Sequence, residues 1–369
     1  MGKINVVLDG LKGMGEPGET ILAVSKRMGV DIPTLCQKEE LKPSGVCRIC
    51  VVEVEGAPRL VASCHTPIDE GMVIHTASPK VLMSRRITLE LLMVGHTGPC
   101  VMDPHADACE LHQLASQVEL GLPRFDANRP RAYAVEEDNP YVVRDLSRCI
   151  LCRRCIGACE EIAGQNVFSV AYRGFESKII VGTDQPLELE VCCDCGVCAD
   201  FCPTSALKLK TEKKEIQDSG MAQKKGNSKA FERADREGIL AALKDEQIRN
   251  GFVSQNAIDE LGNRFQRSSS DIYGSTSFYS FLSTEPLGRN VIRVCKSLPC
   301  FLKNGRLLLC AIYKSIGIGP GETTEDGRYT VELTNCIGAC DQAPAIMINH
   351  QVYGGLTPAD IPGILASHE

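Results

Sequence analysis

The chain has 369 residues, 20 of them cysteine, and a formal net charge of −7. That balance excludes the basic surfaces that nucleic acids and anionic membranes select, and no run approaches the roughly 18 apolar residues of a membrane span. The N-terminus runs straight into a polar turn with no apolar signal-peptide region, so a reducing cytoplasm is expected, where dense cysteine means metal rather than disulfides. With no tryptophan and 5% aromatics, metal sites are expected to supply part of the folding free energy.

Residues 4–8 (INVVL) read as a strand, Asp9–Gly15 as a glycine-containing turn, and Glu19–Met28 as a short helix with Thr20 as N-cap and Gly29 as C-cap. Cys36, Cys47, Cys50 and Cys64 follow, spaced C-x10-C-x2-C-x13-C. Pro43 and Gly45 make the first loop irregular backbone, whose N–H groups can point at sulfur and help set a cluster potential. The spacing keeps the central C-x2-C of plant-type ferredoxins and lengthens the first gap. A zinc knuckle is the competing reading, but such sites use two C-x2-C hooks and only one is present.

CRICVVEVEG with LVASCHTPIDEGMVIHT resembles the N-terminal [2Fe–2S] domain of the cluster-carrying subunit of complex I. The same module begins iron-only hydrogenases and the formate dehydrogenases linked to them. The resemblance implies a β-grasp ferredoxin domain over 1–78, with the four cysteines holding a [2Fe–2S] cluster. Over 79–125, where 79–94 reads as an amphipathic helix, it implies a [4Fe–4S] site spaced H-x3-C-x2-C-x5-C. The matching positions are His96, Cys100, Asp103 and Cys109, so an aspartate stands where a cysteine belongs. A carboxylate is a harder donor than a thiolate and would leave its iron labile. Three readings stay open: a cluster with Asp103 as fourth ligand, a cluster with another ligand such as His105, and no cluster. His112 reads as a surface or core histidine.

LPRFDANRPRAYAVEEDNPYVVRDLSR is expected to be an extended connector. It leads into two runs, Cys149, Cys152, Cys155, Cys159 and Cys192, Cys195, Cys198, Cys202, each spaced C-x2-C-x2-C-x3-C, with Pro203 closing the second and Glu160 following the first. This is the bacterial ferredoxin pattern, in which the last cysteine of each run ligates the other run's cluster. One [4Fe–4S] cluster is therefore expected on Cys149, Cys152, Cys155 and Cys202, and a second on Cys192, Cys195, Cys198 and Cys159, within a 126–210 domain. Cys193 is off register. Residues 211–235, rich in Lys, Glu, Ser and Gly, read as a solvated linker.

From Arg236 two short helices break near Asn250–Gly251, and Tyr273, Phe278, Tyr279 and Phe281 read as helix-packing aromatics rather than a cofactor box. NVIRVC is a buried-type strand ending at Cys295, with Cys300 beyond it; a helix, a strand before Cys336 and Cys340, a further strand region and a terminal helix follow. This is a thioredoxin-like plan without the redox C-x2-C of dithiol oxidoreductases. GETTEDGRYTVELTNCIGACDQAPAIMIN and VYGGLTPADIPGIL resemble the small [2Fe–2S] subunit of complex I across 236–369. The resemblance implies Cys295, Cys300, Cys336 and Cys340 as ligands, and leaves Cys310 as an expected buried free thiol.

The expected fold class is thus α+β and multidomain: β-grasp ferredoxin, His/Cys segment, 2[4Fe–4S] ferredoxin, then a helical segment plus thioredoxin-like domain. The expected cofactors are two [2Fe–2S] and two [4Fe–4S] clusters, with a third [4Fe–4S] conditional on Asp103. No glycine-rich dinucleotide fingerprint or P-loop is found, so no flavin is expected on this chain. Clusters move single electrons and do not accept a hydride. The resemblance therefore implies an FMN- and NAD-binding flavoprotein partner, a further catalytic flavoprotein, and ferredoxin as donor or acceptor. Within that class an electron-bifurcating transhydrogenase is favoured over a bifurcating hydrogenase or formate dehydrogenase. A stand-alone carrier and a structural zinc scaffold are the other readings.

Overall fold

The computed structural model describes residues 3–96, 109–121, 124–125, 131–187, 192, 195–210 and 238–368. Cys100, Asp103, His105, Cys193 and the 211–235 segment lie outside the described residues. The chain forms two compact units, Met1–Glu232 and Arg233–Glu369.

The first unit opens on a hairpin of β1 (Ile4–Leu8) and β2 (Leu11–Gly15), paired from Ile4 with Gly15 to Leu8 with Leu11. The turn is only Asp9–Gly10, both at positive φ (48° and 85°), as a two-residue hairpin that follows the strand twist requires. The expectation of a turn through Gly15 is corrected: once Asp9 and Gly10 reverse the chain, Leu11–Gly15 is in register to pair. Helix α1 (Ile21–Arg27) is capped by the Thr20 side chain. Strands β3 (Val51–Val54), β4 (Val61–Ala62) and β5 (Met72–His75) complete a sheet ordered β2-β1-β5-β3-β4. Ile21, Leu22 and Val24 of α1 pack on Val6, Leu8, Val52 and Ile74, and Cys50 and Cys64 share that core.

Helix α2 (Pro79–Gly95) starts at the Ser78 cap with Pro79 in its first turn. Its Arg85 is buried and donates to the carbonyls of Ile49 (3.0 Å) and Val51 (2.8 Å) on either side of Cys50. Helix α3 (Glu110–Gln117) follows Cys109. The described part of the expected connector contributes β6 (Val142–Arg144), which pairs with β9 (Leu207–Leu209). Between them lie α4 (Arg154–Gly157), a π-helical turn (Ala158–Ile162), the β7 (Phe168–Ala171) and β8 (Lys178–Val181) hairpin, and α5 (Val197–Asp200). The two cysteine runs are built alike: Arg153 and Gly196, each at φ 65°, start α4 and α5. At the second position a Cβ would fall 2.6 Å from Leu209 Cδ2, so a larger residue there would have to push that side chain aside.

A buried ion pair joins these parts. Arg154 (side chain 1% exposed) makes bonds of 2.7 and 2.8 Å to the two carboxylate oxygens of Glu110, at the start of α3, and also reaches the Gln37 carbonyl beside Cys36. Burial works against the Glu110 carboxylate, but Arg154 and Lys38 outweigh it and hold the carboxyl below its usual range. One apolar cluster contains Leu35, Cys36, Cys47, Ile49, Leu89, Cys109, Leu111 and Cys152.

The second unit starts with α6 (Ile239–Asn250), α7 (Gln255–Phe265) and α8 (Ser269–Phe278). Strand β10 (Asn290–Cys295) leads through α9 (Leu298–Leu302) and α10 (Gly305–Ile316) to parallel β11 (Tyr329–Thr334). A hairpin of β12 (Ile346–Ile348) and β13 (Gln351–Tyr353) completes the order β11-β10-β12-β13, and α11 (Ile361–Ala366) closes the core against α10. Two expectations are corrected. Of the four aromatics only Tyr273 is buried; Phe278, Tyr279 and Phe281 are exposed, with the Phe281 ring 4.7 Å from the Arg293 guanidinium. Cys310 is exposed, because α10 turns Leu308 and Ile312 to the core instead.

Replacing Glu110 by Ala removes the counter-charge of a buried guanidinium. Breaking such a pair costs about 3 kcal/mol, and a drop of that size in denaturant stability of the cluster-loaded chain is the expected result. A change within about 0.5 kcal/mol, the size of an ordinary surface substitution, would show that the pair is not structural.

Candidate metal centres

Cys36, Cys47, Cys50 and Cys64 are all buried and converge between the irregular loop and β4. The thiols are close enough to shift one another's acidity. Accepting from Cys47 and Cys64 lowers the Cys36 pKa, and accepting from Cys64 lowers that of Cys50 to about 6. Cys47 and Cys64 are pushed up as the donors of those bonds. Four buried soft donors gathered at one site fit an iron–sulfur cluster, whose iron replaces their protons on binding. The loop's own N–H groups, those of Leu35 and Ile49 at Cys47, favour the thiolate form. Arg85 adds a buried positive charge on the Cys50 side.

Cys149, Cys152, Cys155 and Cys202 line one cavity, together with Arg144, Leu146, Ile179 and Leu207. The structure therefore brings the last cysteine of the second run to the first run. Burial pushes the Cys149 thiol up to about 11 and raises Cys152 and Cys155 further. Leu151 N–H reaches Cys149 Sγ at 3.4 Å. Charge is supplied by Arg144, which is buried and forms bonds of 2.7 and 2.8 Å to Glu136. In the mirror arrangement Cys198, raised by burial, senses Cys192, Cys195 and Cys159. Val167 N–H lies 3.4 Å from Cys159 Sγ. Both sets share a core with Val142, Leu146, Phe168 and Val181.

At the end of α2, His96 is buried and its Nδ1 lies 2.8 Å from the Arg148 carbonyl, just before Cys149. Its Nε2 faces Cys109 Sγ at 3.8 Å. His112, read from sequence as an ordinary surface or core histidine, is instead at this site: its Nδ1 lies 3.2 Å from the same sulfur. Its position three residues after Cys109 on α3 was the available signal, since such residues share a helix face. Burial lowers the pKa of both histidines, favouring the neutral rings that ligate metals.

In the second unit Cys295 ends β10 and Cys300 lies in α9, both buried, while Cys336 and Cys340 are exposed beyond β11. Cys336 and Cys340 sulfurs are 3.2 Å apart, and Gly338 N–H points at Cys336 Sγ at 3.4 Å. Burial opposes the Cys295 thiolate, but the Ser297 N–H, the neighbouring Cys300 thiol and the Ile337 N–H outweigh it and lower its pKa, while burial raises Cys300. These four also fit a cluster, with one edge open to the surface.

Three family descriptions match this chain. Residues 2–79 match a 2Fe-2S iron-sulfur cluster binding domain, residues 139–208 the ferredoxin-like domain of NADH-quinone oxidoreductase subunit 3, and residues 225–369 a thioredoxin-like [2Fe-2S] ferredoxin. NADP-reducing hydrogenase subunit HndD of Solidesulfovibrio fructosivorans is 36% identical over 212 residues, 56% of this chain and 36% of that protein. An NADH-quinone oxidoreductase subunit of Rhizobium meliloti (strain 1021) is 32% identical over 207 residues, 55% of this chain and 24% of that protein. The chain thus spans about a third or less of these relatives' length. A chain of the crystal structure of NAD+-reducing [NiFe]-hydrogenase in the H2-reduced state aligns with 28% identity and a TM-score of 0.50, over 58% of this chain and 90% of that one.

Arg85→Met removes a buried positive charge beside Cys50. The expected outcome is a lower midpoint potential for the N-terminal [2Fe–2S] signal in a redox titration followed by EPR. A stability loss of about 1–3 kcal/mol should accompany it as the Ile49 and Val51 carbonyls lose their donor.

Proposed function

We propose that this chain, which joins three iron–sulfur domain families, is the electron-transfer subunit of a flavin-dependent NAD(P)H oxidoreductase complex. The observation that carries the reading is the buried cluster around Leu35, Ile49, Leu89 and Leu111, which holds Cys36, Cys47, Cys109 and Cys152 in one core. Cysteines of separate centres in one dry core are a route for electrons, and the matched families supply its chemical character.

In this reading Cys36, Cys47, Cys50 and Cys64 hold one [2Fe–2S] cluster and Cys295, Cys300, Cys336 and Cys340 the other. The ferredoxin runs hold two [4Fe–4S] clusters with exchanged fourth ligands, as the cavity lined by Cys149, Cys152, Cys155 and Cys202 supports. The clusters supply one-electron redox chemistry. The protein's part is to exclude water from them, aim N–H groups at sulfur, and place Arg85, Arg144 and Arg154 where added negative charge needs an opposite one. The exposed Cys336–Cys340 edge is where a flavoprotein holding FMN and NAD(H) docks, and the ferredoxin-like part exchanges electrons with ferredoxin or a second catalytic flavoprotein.

For the assembled complex an electron-bifurcating transhydrogenase linking NADH, NADPH and ferredoxin is the first reading. An NAD(P)-linked hydrogenase is the second, favoured by the names of the HndD relative and of the aligned hydrogenase structure. Anaerobically purified chain is expected to carry iron and acid-labile sulfide in equal amounts, with separate [2Fe–2S] and [4Fe–4S] EPR signals after dithionite. NADH alone should not reduce it, and addition of the co-purifying flavoprotein should make NADH a reductant. A colourless, EPR-silent protein, or direct reduction by NADH, would contradict the proposal.

A further inference from the structure

We propose that His96, Cys109 and His112 hold a single divalent transition-metal ion, best matched by zinc, in place of the four-iron cluster that the family resemblance implies here. Donor spacing is the main reason. Cys109 Sγ lies 3.8 Å from His96 Nε2 and 3.2 Å from His112 Nδ1, and the donor atoms of the three residues all lie within 4.8 Å of one another. With Zn–S near 2.3 Å and Zn–N near 2.0–2.1 Å, a sulfur and a nitrogen on one tetrahedral zinc stand about 3.5 Å apart. Terminal ligands of a [4Fe–4S] cluster sit on different irons at different corners of a cube, so their donor atoms stand much further apart. The group of three fits one ion and does not fit a cubane.

Ring orientation agrees. A carbonyl oxygen only accepts, so at 2.8 Å from Arg148 the His96 Nδ1 carries the proton and Nε2 turns its lone pair toward Cys109. A ligating imidazole anchored through its other nitrogen is the usual support of a metal-bound histidine. The two rings stand 5.2 Å apart and tilted by 60°, so both can approach one point from different sides.

Position in the fold gives the ion a role. His96 is the C-cap of α2, Cys109 the N-cap of α3, and His112 lies in the first turn of α3. One ion ties the two helix ends together beside the backbone that enters the first ferredoxin run. On binding, the Cys109 thiol gives up its proton to solvent, and the thiolate and two neutral imidazoles supply three of the four tetrahedral ligands. With His112 as a donor, the aspartate at position 103 need not serve as an iron ligand.

The test reads metal, not activity, so its outcome is separate from that of the electron-transfer reading. Full-length chain with its clusters in place is titrated anaerobically with Zn(II), then analysed for zinc, iron and sulfide and by zinc-edge X-ray absorption. One zinc per chain is expected, with one sulfur and two imidazoles in its first shell and sulfide unchanged. His112→Gln should lose that zinc while keeping iron and sulfide. His112→Cys should retain it with a second sulfur in the shell, which also controls for misfolding. Zinc binding indifferent to His112→Gln would overturn the proposal. So would loss of sulfide together with iron in that variant, which would place His112 on a cluster instead.

Discussion

The first unit depends on how one buried cation is neutralised. Arg154 sits between Cys152 and Cys155, almost wholly out of water, and its charge is answered by Glu110, a neighbour of Cys109, and by the carbonyl of Gln37, a neighbour of Cys36. Burying a guanidinium is costly unless it is paired and hydrogen-bonded. The Arg154 guanidinium thereby joins three stretches of chain, each bearing cysteines. Other bonds draw the same parts in: Ser44 to the Cys152 carbonyl (3.3 Å), Lys42 N–H to Glu161 (2.9 Å), and Glu110 N–H to the Pro203 carbonyl (2.8 Å).

Around that pair, sulfur and charge follow one logic. Burial by itself holds thiols neutral, as at Cys149 and Cys155. Nearby N–H groups and arginines work the other way, and metal binding completes the reversal by replacing protons. The same groups then bear on reduction potential, because each added electron is a charge in a poorly solvated place. The second unit differs in that two cysteines of its centre, Cys336 and Cys340, are exposed, as suits a centre that exchanges electrons with a separate molecule.

Much of this was legible in sequence because cysteine spacing is a local code. From the two C-x2-C-x2-C-x3-C runs the exchange of Cys202 and Cys159 is expected, and Cys202 lines one cavity with Cys149, Cys152 and Cys155. The strand at 4–8, the Thr20 cap and the helix from residue 79 were legible from equally local signals. What was hidden depends on tertiary placement. Leu11–Gly15 looks like turn composition and becomes a strand only by pairing with β1. Phe278, Tyr279 and Phe281 have core composition but lie exposed, and Cys310 falls on the outer face of α10. His112 is a single histidine in sequence and becomes a donor candidate only because α3 starts just after Cys109 and its first turn faces the end of α2. Arg154 and Glu110 are 44 residues apart, so no window along the chain pairs them.

The central claim is that the N-terminal [2Fe–2S] site and the first ferredoxin-like site share one core and pass electrons directly. Spin relaxation of the reduced [2Fe–2S] signal tests it, measured first with the [4Fe–4S] centres oxidised and then with them reduced. The account predicts faster relaxation and dipolar broadening once the neighbouring centre becomes paramagnetic. A [2Fe–2S] signal that saturates identically in both states would contradict it.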